Sequence, residues 1–158
     1  MVESGNGGGA RGRMLGVDVG ERRIGIAVSA GRLAVPLVII EHESRGADID
    51  RVVKLALEQE ASAVIVGLPI GMSGEEGEQA KRTRRFGDAL ARRLTAPVIY
   101  QDERLSSAQV TGAAGGRIER ARTAGPRRGG RPERPRIDDL AAAVILQAYI
   151  DSLEQGQA

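Results

Sequence analysis

The sequence predicts an α/β fold: a single mixed five-stranded sheet with helices on both faces. Three observations carry this. The chain opens with three short apolar segments joined by tight turns, which suits antiparallel neighbours. It then alternates helical patterns with apolar runs, the order of βαβ crossovers that add parallel strands to the same sheet. At 158 residues, 41% hydrophobic and without an internal repeat, it has the size of one ordinary domain with one core.

The elements follow in order. Residues 14–19 are a short apolar strand, and Gly20-Glu21-Arg22-Arg23 makes the turn that follows. Ile24, Ile26 and Val28 alternate with Gly25, Ala27 and Ser29, the period of two expected of a second strand. A third strand is expected over 35–41. Residues 47–60 form an amphipathic helix whose buried side is Ile49, Val52, Val53, Leu55 and Ala56. Ala63-Val64-Ile65-Val66 is a continuous apolar run, as in a strand covered on both faces. Residues 67–77 are a loop with Pro69, Gly71, Gly74 and Gly77, and a basic helix spans 77–94. Residues 97–100 are the fifth strand. Ser106 or Ser107 caps a short helix ending near Gly112. With six glycines and three prolines, 112–136 is no regular element. The last helix is 138–153, with Ile137, Leu140, Ala141, Val144, Ile145 and Ala148 on one face.

Composition removes whole classes of chemistry. Cysteine is absent, which excludes disulfides, a thiolate nucleophile and thiolate-bound metals. The only histidine, His42, follows the third strand and reads as a surface residue. Any metal is therefore held by oxygen, which favours magnesium, manganese or calcium. No apolar run is long enough to span a bilayer. Residues 1–13 are Gly-rich and polar, without the apolar core of a secretory signal, and are expected to be a flexible tail. The domain proper is then 14–154, and a cytoplasmic location is expected.

Charge is unevenly spread. Of 23 basic residues 21 are arginine, and 112–136 alone carries a net charge of +6, leaving −4 on the rest. Two readings fit: an anionic partner, nucleic acid foremost, or a solubilising loop. Chemistry points to three acidic positions. Asp18 stands near the end of an otherwise apolar first strand, where a carboxylate is costly to bury unless paired or bound to a cation. Otherwise it merely starts the turn at Gly20. Asp102 and Glu103 follow the fifth strand, and Asp138 and Asp139 open the last helix, where the helix dipole also favours acids. Strand ends in an open α/β sheet converge on one crevice, so the three sites can meet there. Crowded carboxylates repel unless a cation neutralises them, which one or two magnesium or manganese ions would do.

Several stretches carry a resemblance: LGVDVGERRIGIAVS at 15–29, VIVGLPIGMSGEEG at 64–77, Arg85-Phe86, VIYQDERLSS at 98–107 and IDDLAAAVILQAYID at 137–151. In this order and spacing the chain resembles the YqgF family, itself similar to RuvC-type Holliday junction resolvases with an RNase H-like fold. The resemblance implies a divalent-metal-dependent nuclease acting in maturation of the 5′ end of 16S ribosomal RNA. It implies catalytic and metal-binding roles for Asp18, Glu103 and Asp138. Asp139, where the family usually has a small or polar residue, is an additional ligand, and Asp102 a supporting one. Ser106 and Ser107 stand where the family usually has two threonines, and Gly71 where it has asparagine.

Substrate contacts are expected from Arg22, Arg23, Gly67, Arg82, Arg85, Arg104, Ser106, Ser107 and Arg136, with Lys81 near them. Each arginine taken singly also reads as a solvated surface residue. The 67–77 loop either brings amide N–H groups to a phosphate or is a plain connection. Only three aromatic residues exist, so recognition rests on charge and shape rather than base stacking. Structured RNA is the first substrate class. Branched DNA, whose symmetric cleavage needs a homodimer, is the second. A non-catalytic RNA-binding module, monomer or dimer, is the third.

Overall fold

A computed structural model of the chain describes residues 12–104 and 137–156. The strands are β1 (Met14–Val19), β2 (Arg23–Ala30), β3 (Leu33–Glu41), β4 (Ala63–Leu68) and β5 (Val98–Asp102). The helices are α1 (Arg45–Glu58), α2 (Glu78–Arg93) and α3 (Ile137–Gln155). The sheet order is β3-β2-β1-β4-β5, with β1–β2–β3 antiparallel and β1–β4–β5 parallel, the mixed sheet the sequence implies.

Strand alternation sends side chains to two separate cores. Leu15, Val17, Val19, Ile24, Ile26, Val64 and Val66 face one way and are covered by α1 and α2 through Ile49, Val52, Phe86 and Leu90. Met14, Ala27, Ala34 and Ile65 face the other way and are covered by α3 through Ala142, Ala143, Ile145, Leu146 and Ile150. Every residue of β4 is buried, as its unbroken apolar run requires. The expected strand end at Val66 is two residues short. Gly67 and Leu68 stay in the ladder opposite Gln101 and Asp102.

β5 likewise runs to Asp102 rather than ending at Tyr100, so Asp102 closes the strand instead of following it, and other expectations also shift. β3 begins at Leu33 rather than Val35, because the β2–β3 turn takes only two residues. Helix α1 starts two residues earlier than its apolar pattern suggests. Ser44 adopts an extended conformation and its Oγ accepts from Ala47 N at 3.1 Å, satisfying a helix-start amide. Ser44→Ala is expected to remove that cap at a cost of about 1 kcal/mol, seen as a melting temperature about 2–4 °C lower. The covered face of helix α3 overlaps only in part with the one expected: Ile145 and Ala148 are buried as expected. Leu140, Ala141 and Val144 are only half-buried, while Ala142, Ala143, Leu146, Gln147 and Ile150 are enclosed. Most of its circumference is apolar, so spacing alone does not choose a face; close approach to the sheet selects the small residues.

That approach is tightest at Gly16. A Cβ there would lie 2.8 Å from both Ala142 O and Leu146 Cβ. Gln147, enclosed among apolar neighbours, accepts from Ala34 N at 2.9 Å and donates to Arg32 O at 3.0 Å. Arg32 Nε lies 3.3 Å from Glu154 Oε1. These contacts set the far end of α3 against the β2–β3 turn, so its first turn points to the C-terminal end of β1. No helix among the described residues is long and apolar enough to cross a membrane. The expected short helix near Ser106 and the 112–136 segment lie outside the described residues, as does the expected tail apart from Gly12 and Arg13. Arg13 O accepts from Ser62 N at 2.8 Å.

Candidate nuclease active site

Asp18 faces the α3 side of the sheet, opposite Gly25 of β2, with Gly25 in turn opposite Ile39 of β3. These residues line a shallow cavity of about 300 Å³ together with Gly20, Glu21, Arg22 and Arg23. Asp18 is half-buried, as the cost of fully enclosing a carboxylate would lead one to expect.

Two strands away, the chain leaves β5 at Asp102 and turns helical at Glu103. Gly67 of β4 lies between Asp18 and Glu103 in the sheet. A Cβ at Gly67 would stand 3.0 Å from Glu103 Oε1 and 2.9 Å from Ile145 Cγ1. Glycine there is what lets the Glu103 carboxyl lie over the strand beside α3. Burial raises the Glu103 carboxyl above the ordinary carboxylate range, and the negative charges of Asp18 and then Asp102 raise it further. The two carboxylates thus feel each other across Gly67.

Asp102 behaves in the opposite way. Its carboxylate accepts from Arg104 Nη2 at 2.7 Å and from Arg104 N at 2.9 Å, and that guanidinium holds it below the usual range. Adjacent acids at one strand end are thereby moved in opposite directions, Asp102 towards a settled ion pair and Glu103 towards holding a proton. Helix α3 brings Asp138 and Asp139 in its first turn to the same end of the sheet. Their side chains, and Ser106, Ser107 and Arg136 entirely, lie outside what the structure describes. Among the described residues no three acidic or histidine side chains form a cluster able to hold a metal.

The expected basic contacts divide into two groups. Arg22 and Arg23 share the Asp18 cavity. Arg82 and Arg85 line a second cavity on the other side of the β1–β2 turn. Lys81 pairs with Glu78 at 3.6 Å on the helix surface. The Gly-rich loop is more ordered than a plain connection. Ile70 bridges Glu76, Gly71 N donates to Glu75 O at 2.9 Å, and Gly74 N donates to Gly71 O at 2.8 Å. Those two amides are consumed within the loop and do not point to a phosphate. Gly67 makes room for the Glu103 carboxyl.

One pair lies outside the sequence expectation. His42, read as a surface residue, has its Nδ1 2.5 Å from the carboxylate of Asp48, which is 1% exposed. The signal was present in α1: Asp48 sits one turn before Val52, on the apolar stripe, where an acid needs a partner.

A mixed sheet in this order, with helices on both faces, is the RNase H-like fold, the class to which the comparisons also assign the chain. The family model described as "RuvX: Holliday junction resolvase" matches residues 12–152. The chain belongs to this family and is a nuclease. A protein of Thermobifida fusca named "Putative pre-16S rRNA nuclease" is 46% identical over 147 residues, covering 87% of this chain and 86% of its own. One of the same name from Methylocella silvestris is 35% identical over 156 residues, covering 95% and 89%. Among solved structures, T. thermophilus RuvC in complex with a Holliday junction substrate superposes with a TM-score of 0.65 at 20% identity. The match covers 92% of this chain and 97% of that one, a likeness of fold.

Proposed function

We propose that this nuclease hydrolyses phosphodiester bonds in structured RNA, in the 5′-end processing of 16S ribosomal RNA precursors, with Asp18, Glu103 and Asp138 as its catalytic acids. The observation that supports the site is the seat of the Glu103 carboxyl over Gly67, on the strand beside Asp18, where burial first and the charge of Asp18 second raise it. Like charges held this close oppose folding, and they suit a hard divalent cation. The donor set is oxygen only, the chain has no cysteine, and its single histidine is bonded to Asp48. Asp18, Glu103 and Asp138, with Asp139 beside them, would hold magnesium or manganese. The bound cation supplies charge stabilisation at the scissile phosphate and lowers the pKa of the attacking water. In this reading Arg22 and Arg23, beside Asp18, position the phosphate backbone, and the half-buried Glu103 takes a proton from water.

The names carried by relatives 35–46% identical to this chain favour RNA as substrate. The test is side-by-side cleavage, with manganese or magnesium, of a 5′-extended 16S precursor and a four-way DNA junction, with Asp18→Asn protein as control. The expected result is metal-dependent RNA cleavage that the substitution abolishes. Paired nicks in the junction instead would move the substrate to branched DNA and require a homodimer. Metal-independent RNA binding without turnover by either protein would leave only a binding module.

A further inference from the structure

The second cavity, about 350 Å³, opens on the α1–α2 side of the sheet and is lined by Arg45, Arg82, Arg85, His42 and Asp48, with Glu21 at its rim. We propose that it is a phosphate subsite, taking a backbone phosphate of the nucleic-acid strand that Asp18 and Glu103 cut. It rests on the reading that the substrate is nucleic acid.

The wall of this cavity is built rather than incidental. Asp48 is enclosed, and its two oxygens are occupied: Oδ1 accepts from Glu43 N at 3.2 Å, and Oδ2 lies 2.5 Å from His42 Nδ1. A carboxylate at Nδ1 makes that nitrogen the donor, which fixes the ring and leaves Nε2 for the half-exposed side. Arg45 Nη2 donates to Arg85 O at 3.2 Å, anchoring a third guanidinium at the same wall.

The arrangement of charge on α2 points to an anion. Lys81, Arg84 and Arg93 each have an acidic partner: Glu78, Glu76 and Asp50. Arg82 and Arg85, three apart and so neighbours on the helix surface, have no ion-pair partner among the described residues. Two like charges side by side are mildly destabilising, and a third is held against them by Arg45. Planar guanidinium groups converging on a concave surface suit phosphate oxygens. Among the described residues of this wall, Glu21 is the opposing acid not already engaged as Asp48 is, and it sits on the exposed turn.

Position supplies the link to the strand. Gly20 and Glu21 line both this cavity and the one holding Asp18. Only the β1–β2 turn separates them, so a strand lying across that turn meets carboxylates on one side and arginines on the other.

The chain has one histidine, so its imidazole gives a single NMR reporter inside the proposed subsite. The experiment uses full-length Asp18→Asn protein, which is expected to bind without cutting. Inorganic phosphate and a short single-stranded RNA are titrated in turn while the His42 ring signals are followed. RNA binding is measured separately by fluorescence anisotropy across a salt series. Both probes are expected to move the ring signals saturably. Adding Arg82→Ala and Arg85→Ala should abolish that response and weaken RNA binding roughly tenfold. The salt dependence, as the slope of log affinity on log salt, should fall by about 0.7 for each phosphate no longer neutralised. Adding Lys54→Ala and Arg92→Ala removes the same charge and should leave the ring response intact. If RNA binds by anisotropy and His42 does not respond, the subsite proposal is overturned while the nuclease reading stands. A response to phosphate but not to bound RNA also overturns it, by making the cavity a small-anion site. If no RNA binds at all, the nucleic-acid reading fails and the proposal falls with it.

Discussion

Glu103→Gln will make the metal-free protein more stable and the nuclease inactive. The two effects have one cause. In the folded chain the Glu103 carboxyl is raised by burial and by Asp18, so the folded state holds its proton more tightly than the unfolded state does. Stability from this group is therefore greatest at low pH. It declines as pH rises from the ordinary glutamate value through the folded one. At neutral pH, burial and the charge of Asp18 oppose the ionised form. Glutamine keeps the shape and drops the charge, so the melting temperature at pH 7 is expected to rise by about 2 °C, within the usual range for relieving such a site. Below about pH 3, where the carboxyl is protonated in both states, the difference should vanish. Cleavage, in contrast, should fall roughly a thousandfold, the scale of losing a positioned proton acceptor. Thermal melts of both proteins from acid to neutral pH (with chelator present) and single-turnover cleavage with metal make the comparison. A Glu103→Gln protein less stable than its parent at neutral pH would show that the carboxylate is held by favourable contacts, and the repelling pair would have to be abandoned.

The second large effect is on packing. Gly16→Val is expected to lower stability by about 3 kcal/mol, or roughly 6–12 °C in melting temperature. The nearest obstacle to a Cβ at this position is Ala142 O, a backbone atom that cannot rotate away, and Leu146 Cβ stands equally close. The helix must lift from the sheet or the strand must bend. Either response displaces the first turn of α3 relative to Asp18, so cleavage should fall further than the reduced stability explains at temperatures where the variant is still folded. At Gly67 the steric obstacle is the end of the Ile145 side chain, which can turn; Gly67→Ala should cost less stability and act mainly on Glu103. Urea denaturation of both variants, with activity measured well below the transition, separates the two. Equal stabilities would contradict the geometry.

Much of the architecture was legible because each strand carries its own signature. The limits of β1 can be read from its apolar run, and β4 from an apolar stretch too short for a helix. Asp18 was legible because it breaks such a run. The face of α3 was not, since an almost wholly apolar helix carries no direction; what decides it is Gly16, which stands far from the helix in sequence and meets it only in the folded chain. Nor was the bond between His42 and Asp48, since a strand-to-helix junction folds two residues together that spacing places on different elements. The split of arginines between two cavities was hidden for a related reason. Sequence shows that α2 is basic, while which cations already have acids depends on where Glu76 and Asp50 arrive in space.

The bond from Ala34 N to Gln147 spans 113 positions, and α3 packs on the strands that open the chain. That topology has a consequence in time. A chain emerging from its amino end makes β1, β2 and β3 early, but their α3 face stays uncovered until the final helix is synthesised. Pairings so far apart in sequence form late and slowly. The acids at the start of α3 arrive with that helix, so a growing chain carries Asp18 and Glu103 before the acid proposed to join them. On the proposed reading, an incomplete chain therefore lacks one of the acids that cutting requires.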